Sequence, residues 1–465
     1  MTAPVAVLGA GIAGLATASE LKRRGVPVIV FEAAPQIAGL CQSFADDEGF
    51  TYDFGAHFVT NRLAKDLGIA DQCRDVPRYG ESVWLNGKVY SYPFGLLRVP
   101  RFAMGGMMAR VPFGRKPIES AADWFRSKYG RALADEVALP LLEAWSGLPA
   151  DQLSSAVGES MPGSIFETLR LTLARRWTGK AIAIGYSREL PHGTDVWHVY
   201  PKGGLGLLCE TLAKPLGQEI RTRCPAESIE VRDGQTIAVR AGGERHEVSA
   251  VVSTAPVNCL SRIVTGSDAL APMSKFKYRP MVFVNIRLEG RELLPDVVLW
   301  TPESKYPFFR LTEVPLAMPW LAPEGKTIIT VDIGANIGDA IWTMDDEALG
   351  RMCIENLKAF IPDAATRYLG CRVLRTPCAY PVFAREYEAD RQRFEQSTGI
   401  DGLYSVGRNG EFKHSFMEDV YVRSVRTAVR IADRVLRRNN PTAKTPPEER
   451  SERFASVRPV EQHVT

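Results

Sequence analysis

The chain predicts an α/β fold that opens with a Rossmann-type unit, and three observations on its first sixty residues carry that prediction. Val5-Ala-Val-Leu8 is a short apolar strand that runs into Gly9-Ala-Gly11-Ile-Ala-Gly14. An Ala/Leu-rich stretch follows, with the composition of a helix to about Arg24. A second apolar strand, Val26 to Phe31, ends on Glu32, 18 residues after Gly14. Strand, GxGxxG, helix, strand and terminal acid form a dinucleotide-binding unit. Gly9 allows the tight turn, Gly11 lets the backbone approach a pyrophosphate, and Gly14 lets the helix pack against the strand. Ile12 and Ala13 lie where the helix N-terminus presents free N–H groups to an anion. Glu32, followed by Ala33, is placed to accept hydrogen bonds from an adenosine ribose. The motif alone leaves FAD and NAD both open, because both carry the same ADP half.

The 465 residues are 45% hydrophobic, enough for two intimately joined domains with large cores. A net charge of +3 is too balanced to point to nucleic acid. No apolar run is long enough to cross a bilayer, so no integral membrane segment is expected. The first strand begins at residue 4 or 5, leaving no room for a signal peptide, and the eight cysteines are scattered without a CxxC pair. These features predict a cytoplasmic protein without a metal centre. The segment from Asn439 to Thr465 is polar and rich in Pro, Glu and Arg, and reads as a disordered tail.

Later elements follow the same alternation. A helix is expected from Gly206 to about Leu216 after Tyr200-Pro-Lys-Gly203-Gly204. Strand-like runs follow at Glu219 to Val231, Thr236 to Arg240 and Glu247 to Val252, the last ending in Ser253-Thr-Ala-Pro256. Met281 to Leu288 and Thr327 to Ile333 read as strands, and Asp345 to Phe360 as a helix. Near the end, Gly402-Leu-Tyr-Ser-Val-Gly407-Arg408 is a strand that leads through a loop to a helix from about Glu418 to Arg437, with Asp419 suited to its N-terminus. Residues 58–199 read as helical. Within them, Arg98 to Lys116 interleaves basic and apolar residues, including three Met, as a solvated basic helix, a lid or a membrane-surface contact would.

Beyond Glu32, the turn Ala33-Ala-Pro-Gln-Ile-Ala-Gly39-Leu40-Cys41 and the segment Asp53-Phe-Gly55-Ala56-His57 resemble the flavoproteins that include monoamine oxidase, protoporphyrinogen oxidase, phytoene desaturase and UDP-galactopyranose mutase. Ala38 stands where that group has the first glycine of a pair. The resemblance runs over about residues 3–437. It implies FAD as cofactor and a GR2-like FAD domain assembled from residues 1–57, 200–261 and 376–438. A mixed α+β substrate domain from 58–199 and 262–375 interleaves with it. It places Gly39, Leu40, Gly55, Ala56 and His57 along the flavin and Ala226 beside the adenine. Gly407, Arg408, Phe416 and Met417 would close the site. The thioether-linked members attach flavin through a cysteine near the C-terminus; none follows Cys378 here, which implies non-covalent FAD. A single GxGxxG unit argues against a second, built-in nicotinamide site.

The implied activity is a FAD-dependent oxidoreductase acting on a small molecule, with His57, Arg310 and Tyr380 as candidate catalytic residues. His57 could orient a ring or shuttle a proton; its plainer role is a hydrogen-bonded structural histidine. Tyr380 could wall the substrate cavity or serve the core. Arg310, in Tyr306-Pro-Phe-Phe-Arg310-Leu-Thr-Glu313, resembles a mutase segment whose arginine contacts a sugar-nucleotide diphosphate, a role suited to a guanidinium. Tyr90, Tyr92, Lys128, Tyr129 and Trp145 lie in further mutase-like stretches. Phe412, His414 and Ser415 depart from the mutase, which has tyrosines in that loop. The mutase's first arginine has only Arg170, Arg175 and Arg176 as candidates. A non-redox enzyme on a sugar nucleotide and a non-catalytic FAD-binding protein stay open as alternatives, as does a homodimer.

Overall fold

A computed structural model describes residues 3–110, 117–160 and 165–439. Residues 440–465, nearly all of the expected tail, and 111–116 of the basic Met-rich segment lie outside them. At the centre is a five-stranded parallel sheet in the order Ile220–Arg221, Val28–Phe31, Val5–Leu8, Ala250–Ser253, Leu403–Ser405. Both faces of Val5–Leu8 are buried, as parallel strands require. Val5 and Val7 point into a layer with Leu15, Leu21, Val422 and Ile431. Ala6 and Leu8 point the other way, toward Val239 and Leu260. Each such large side chain removed from water contributes roughly 1.5–3 kcal/mol.

The helix after the glycine turn spans Ile12–Arg23 and packs against the C-terminal helix Met417–Asn439. A ribbon of Ala226–Arg232, Gln235–Ala241 and Glu244–Glu247 lies beside the central sheet, with Val264–Thr265 on its edge. The run expected from Glu247 to Val252 is therefore two strands. Glu244–Glu247 stays in the ribbon, whereas Ala250–Ser253 crosses into the parallel sheet, anchored by the Ser249 amide on the Pro4 carbonyl.

The second layer is a seven-stranded mixed sheet. Its order is Tyr368–Val382, Lys277–Glu289, Lys326–Gly334, Arg310–Glu313, Val298–Trp300, Glu81–Leu85, Lys88–Ser91. The helix Asp346–Leu357, capped by the Asp345 carboxylate accepting from the Ala348 amide, buries Leu349, Cys353 and Leu357 against it. Residues 58–199 are not uniformly helical. They supply the hairpin Glu81–Leu85/Lys88–Ser91 to this sheet and three short strands, Val59–Thr60, Cys73–Asp75 and His198–Pro201, to a smaller one. Among the described residues no helix is long and apolar enough to cross a membrane.

Candidate active site

The glycine turn is built as a cradle. Gly9 has φ +103°, and a Cβ there would lie 2.1 Å from Thr254 Oγ1; one on Gly14 would lie 1.9 Å from the Gly9 carbonyl oxygen. At Gly11 the nearest atom is 4.0 Å away, so that backbone faces open space. The helix starting at Ile12 has no side-chain cap and no acid in its first turn, so its N–H groups are left for an anion. The Glu32 carboxylate is held at the turn by the Ala10 amide (2.6 Å) and the Ala34 amide (2.8 Å). The backbone of residues 221–224 runs alongside Glu32 and Ala34 and leads into Ala226. Gly407 abuts Ala13, where a Cβ on the glycine would meet the Ala13 Cβ at 2.8 Å. These residues fit a dinucleotide.

Beside this cradle, the seven-stranded sheet presents a row of directly paired residues: Phe283 opposite Asp332, Asp332 opposite Arg310, Arg310 opposite Trp300. Arg310 forms an ion pair with Asp332, which is fully buried, and its guanidinium lies 5.4 Å from the Trp300 ring centroid. Gly55 crosses this face. A Cβ there would meet Phe283 at 2.9 Å and the Arg310 guanidinium at 3.4 Å, so only glycine lets the Asp53–His57 segment lie so close. Trp300 Nε1 donates to Glu81 (2.7 Å), as does the Tyr79 hydroxyl (2.6 Å), and Tyr79 meets the Tyr186 hydroxyl at 3.1 Å. The Tyr186 ring packs tilted against Phe416, with centroids 4.9 Å apart.

On the opposite side stand Tyr380, Trp145 and His414, with ring centroids 5.0 Å (Trp145–Tyr380) and 4.2 Å (Trp145–His414) apart. The Arg408 guanidinium lies 5.7 Å from the Tyr380 ring and donates to the Ser415 carbonyl. Among the described residues Arg408 has no carboxylate within ion-pair distance, which leaves its charge for an anion. Burial, with Arg408 and Arg310 nearby, pulls the His57 imidazole down to about 4, so it is neutral at physiological pH. His414 is pulled down to about 3 by burial and by Arg408. Burial works against charge on Arg310, but Asp332 overrides it and holds the guanidinium charged. Buried polar atoms with no protein partner gather here: His57 Nδ1, Arg310 Nε, Asp332 Oδ1, Asn409 Oδ1 and His414 Nε2. Such atoms are costly unless a ligand or water meets them. Arg310, Trp300, Tyr186, Tyr380 and Trp145 are each only half-buried although they sit between the layers, as side chains lining a cleft would be.

The structure thus brings His57, Arg310 and Tyr380 to one cleft. Phe412 does not face it: it is fully buried against Phe276, Tyr278 and Phe383. Ser415 turns its hydroxyl to Arg423. Of the three arginine candidates, only Arg175 approaches, 5.9 Å from the Tyr79 ring. The sequence reading missed Glu81, Tyr79, Tyr186, Trp300 and Asp332. Asp332 had a signal, a lone acid inside the apolar run Ile328-Ile-Thr-Val-Asp-Ile333.

Comparisons with known proteins complete the picture. Residues 12–432 match the model of the family described as flavin containing amine oxidoreductase. Coproporphyrinogen III oxidase of Bacillus subtilis is 20% identical over 88% of this chain and 93% of its own length. Lycopene-forming phytoene desaturase of Pantoea ananas is 26% identical over 55% of this chain and 56% of its own. The chain spans little more than half of that desaturase, and 38% of the matched Staphylococcus aureus coproporphyrinogen III oxidase. Two solved structures share the fold. Reduced UDP-galactopyranose mutase has a TM-score of 0.74 and 19% identity, covering 93% of this chain and 94% of that one. Putrescine oxidase bound to putrescine has 0.66 and 17%, covering 93% and 99%.

Proposed function

The chain belongs to the flavin-containing amine oxidoreductase family with FAD as its cofactor, and from that premise we propose an oxidoreductase that removes a hydride from a C–N or C–C unit of a small molecule. Bound FAD supplies the two-electron acceptor for such a transfer. The protein's part is to hold the substrate carbon in a dry, shaped pocket and to move protons. The observation that carries this reading is His57, neutral and with Nδ1 unpartnered, in the electrostatic reach of Arg310 and Arg408. A neutral imidazole can accept a proton or a hydrogen bond without first losing one. Arg310, already neutralised by Asp332, fixes the wall without adding net charge. Tyr380 and Trp145 close the opposite side as flat apolar surface. Arg408, with no carboxylate partner, meets the anionic part of the cofactor or of the substrate.

Residues 1–57, 200–261 and 376–438 form the cofactor unit in this proposal, and 58–199 with 262–375 the substrate unit. The strand Tyr368–Val382 carries the chain from one to the other. The FAD is held without a covalent bond, so denaturing the protein releases the yellow colour into the filtrate. The test of function is anaerobic bleaching of the bound flavin by a panel of amines, porphyrinogens and polyene hydrocarbons. Bleaching by one class identifies the substrate; a colourless chain with no FAD affinity sinks the proposal.

One observation favours a second reading, a non-redox reaction on a sugar nucleotide: Arg310, in its mutase-like segment, stands at the cleft with its Nε donor unpartnered. Dithionite-reduced protein incubated anaerobically with UDP-sugars distinguishes the two. Conversion without an oxidant supports the second; unchanged UDP-sugar affinity in Arg310→Ala removes its basis.

A further inference from the structure

The helix Ile165–Thr178 wears its apolar side outward. Phe166 and Trp177 are 81% and 91% exposed, and Leu169 and Leu173 lie between them, also exposed. At 100° per residue these four fall on one stripe about 80° wide. Arg170 and Arg176 flank it on either side, both exposed. The helix also has an inner face: Leu171 is buried, and Arg175 reaches over the Tyr79 ring. Scattered single apolar residues on a surface need no explanation, but an aligned stripe with an aromatic at each end does.

A second exposed stripe stands on the helix Pro100–Met108, where Met104, Met107 and Met108 are 51%, 64% and 67% exposed, with Arg98 and Arg110 exposed at its ends. Arg170 pairs with Glu167 at 3.9 Å, whereas among the described residues Arg98, Arg110 and Arg176 have no carboxylate within ion-pair distance.

We propose that both helices lie on an anionic phospholipid bilayer, each with its apolar stripe in the headgroup boundary and its arginines on lipid phosphates. An outward apolar stripe, terminal aromatics and flanking arginines are what an interfacial helix needs: apolar area to bury about 5–10 Å deep, and cations at headgroup level. Because Arg175 on the inner face touches the aromatic wall of the cleft, docking sets that wall about one helix diameter, roughly 10–12 Å, from the lipid.

The test uses the full-length, FAD-loaded protein with sedimented vesicles of phosphatidylcholine, with and without phosphatidylglycerol. Binding is expected with phosphatidylglycerol and should weaken as salt rises. Brominated lipid should quench tryptophan fluorescence in the parent but not in Trp177→Ser. Phe166→Ser combined with Trp177→Ser should weaken vesicle binding at least about tenfold while bound-flavin absorbance stays unchanged. Arg170→Glu with Arg176→Glu should abolish the preference for phosphatidylglycerol. Failure to bind either vesicle overturns the proposal. So does a dimer in analytical ultracentrifugation that the Phe166/Trp177 variant dissociates, since the stripe would then be a protein interface.

Discussion

Ala38 holds φ +87°, a left-handed conformation that costs an L-residue about 1–2 kcal/mol and glycine almost nothing. The strain is kept because the Ala38 amide donates to the Ala10 carbonyl (2.8 Å), tying this turn to the glycine loop. Ala38→Gly should therefore raise stability by up to about 1 kcal/mol, after the added freedom of the unfolded chain is counted, as read by urea denaturation. The Arg310–Asp332 pair behaves in the opposite sense. Removing Arg310 leaves a fully buried carboxylate whose Oδ1 already has no partner. Arg310→Ala should cost about 3–5 kcal/mol, and the double change with Asp332→Ala should recover at least half of that. His57 predicts a pH profile. If its neutral form is the working one, kcat/KM shows no step near the ordinary histidine value of about 6.5 and falls only as pH approaches about 4. A clear step near 6.5 that vanishes in His57→Gln contradicts the neutral-imidazole role.

At the scale of elements, the dinucleotide turn was readable because its constraints are local: tight turn, open backbone and acid all fall within thirty residues. Gly14→Ala should sharply lower FAD occupancy of the purified protein, since its Cβ has nowhere to go but the Gly9 carbonyl. The hairpin Glu81–Leu85/Lys88–Ser91 carried an equally local cue. Asn86 and Gly87, at φ +52° and +74°, make the tight turn that Asn-Gly signals, inside a stretch whose overall composition reads as helical. The cleft was less legible. Glu81, Trp300, Arg310 and Asp332 come from four strands and meet only through sheet register, which no local pattern encodes. Arg310 was found through a resembling segment. Its partner Asp332 was not, because recognising it required knowing which strand lies beside which.

For the whole molecule, buried histidines dominate the response to acid. Burial pulls His57 down to about 4 and His198 and His414 down to about 3. The unfolded chain takes up these protons near 6.5, so stability is complete above that pH and is lost as pH falls toward 4. Asp53, raised to about 6 by burial, opposes them by binding a proton in the folded state between about 6 and 3.8. Glu313, Glu411 and Asp419, also raised by burial, act in the same sense as Asp53, and His192, lowered by burial, acts with the other histidines; the slope below pH 6 is set by the balance of the two sets. Denaturation curves across that range measure it. His198, with both ring nitrogens unpartnered among Phe58, Tyr79 and Tyr186, should yield a less acid-sensitive protein as His198→Leu. The order of the parallel sheet has a consequence for synthesis. Ala250–Ser253 has its outer neighbour, Leu403–Ser405, about 150 residues further along the chain. At ribosomal speeds of about 5–20 residues per second, the nascent protein carries an apolar strand with a bare edge for roughly 10–30 s. A chaperone that shields strand edges during that interval, or a slower message upstream of codon 403, should change the yield of soluble protein more than any change in the finished fold.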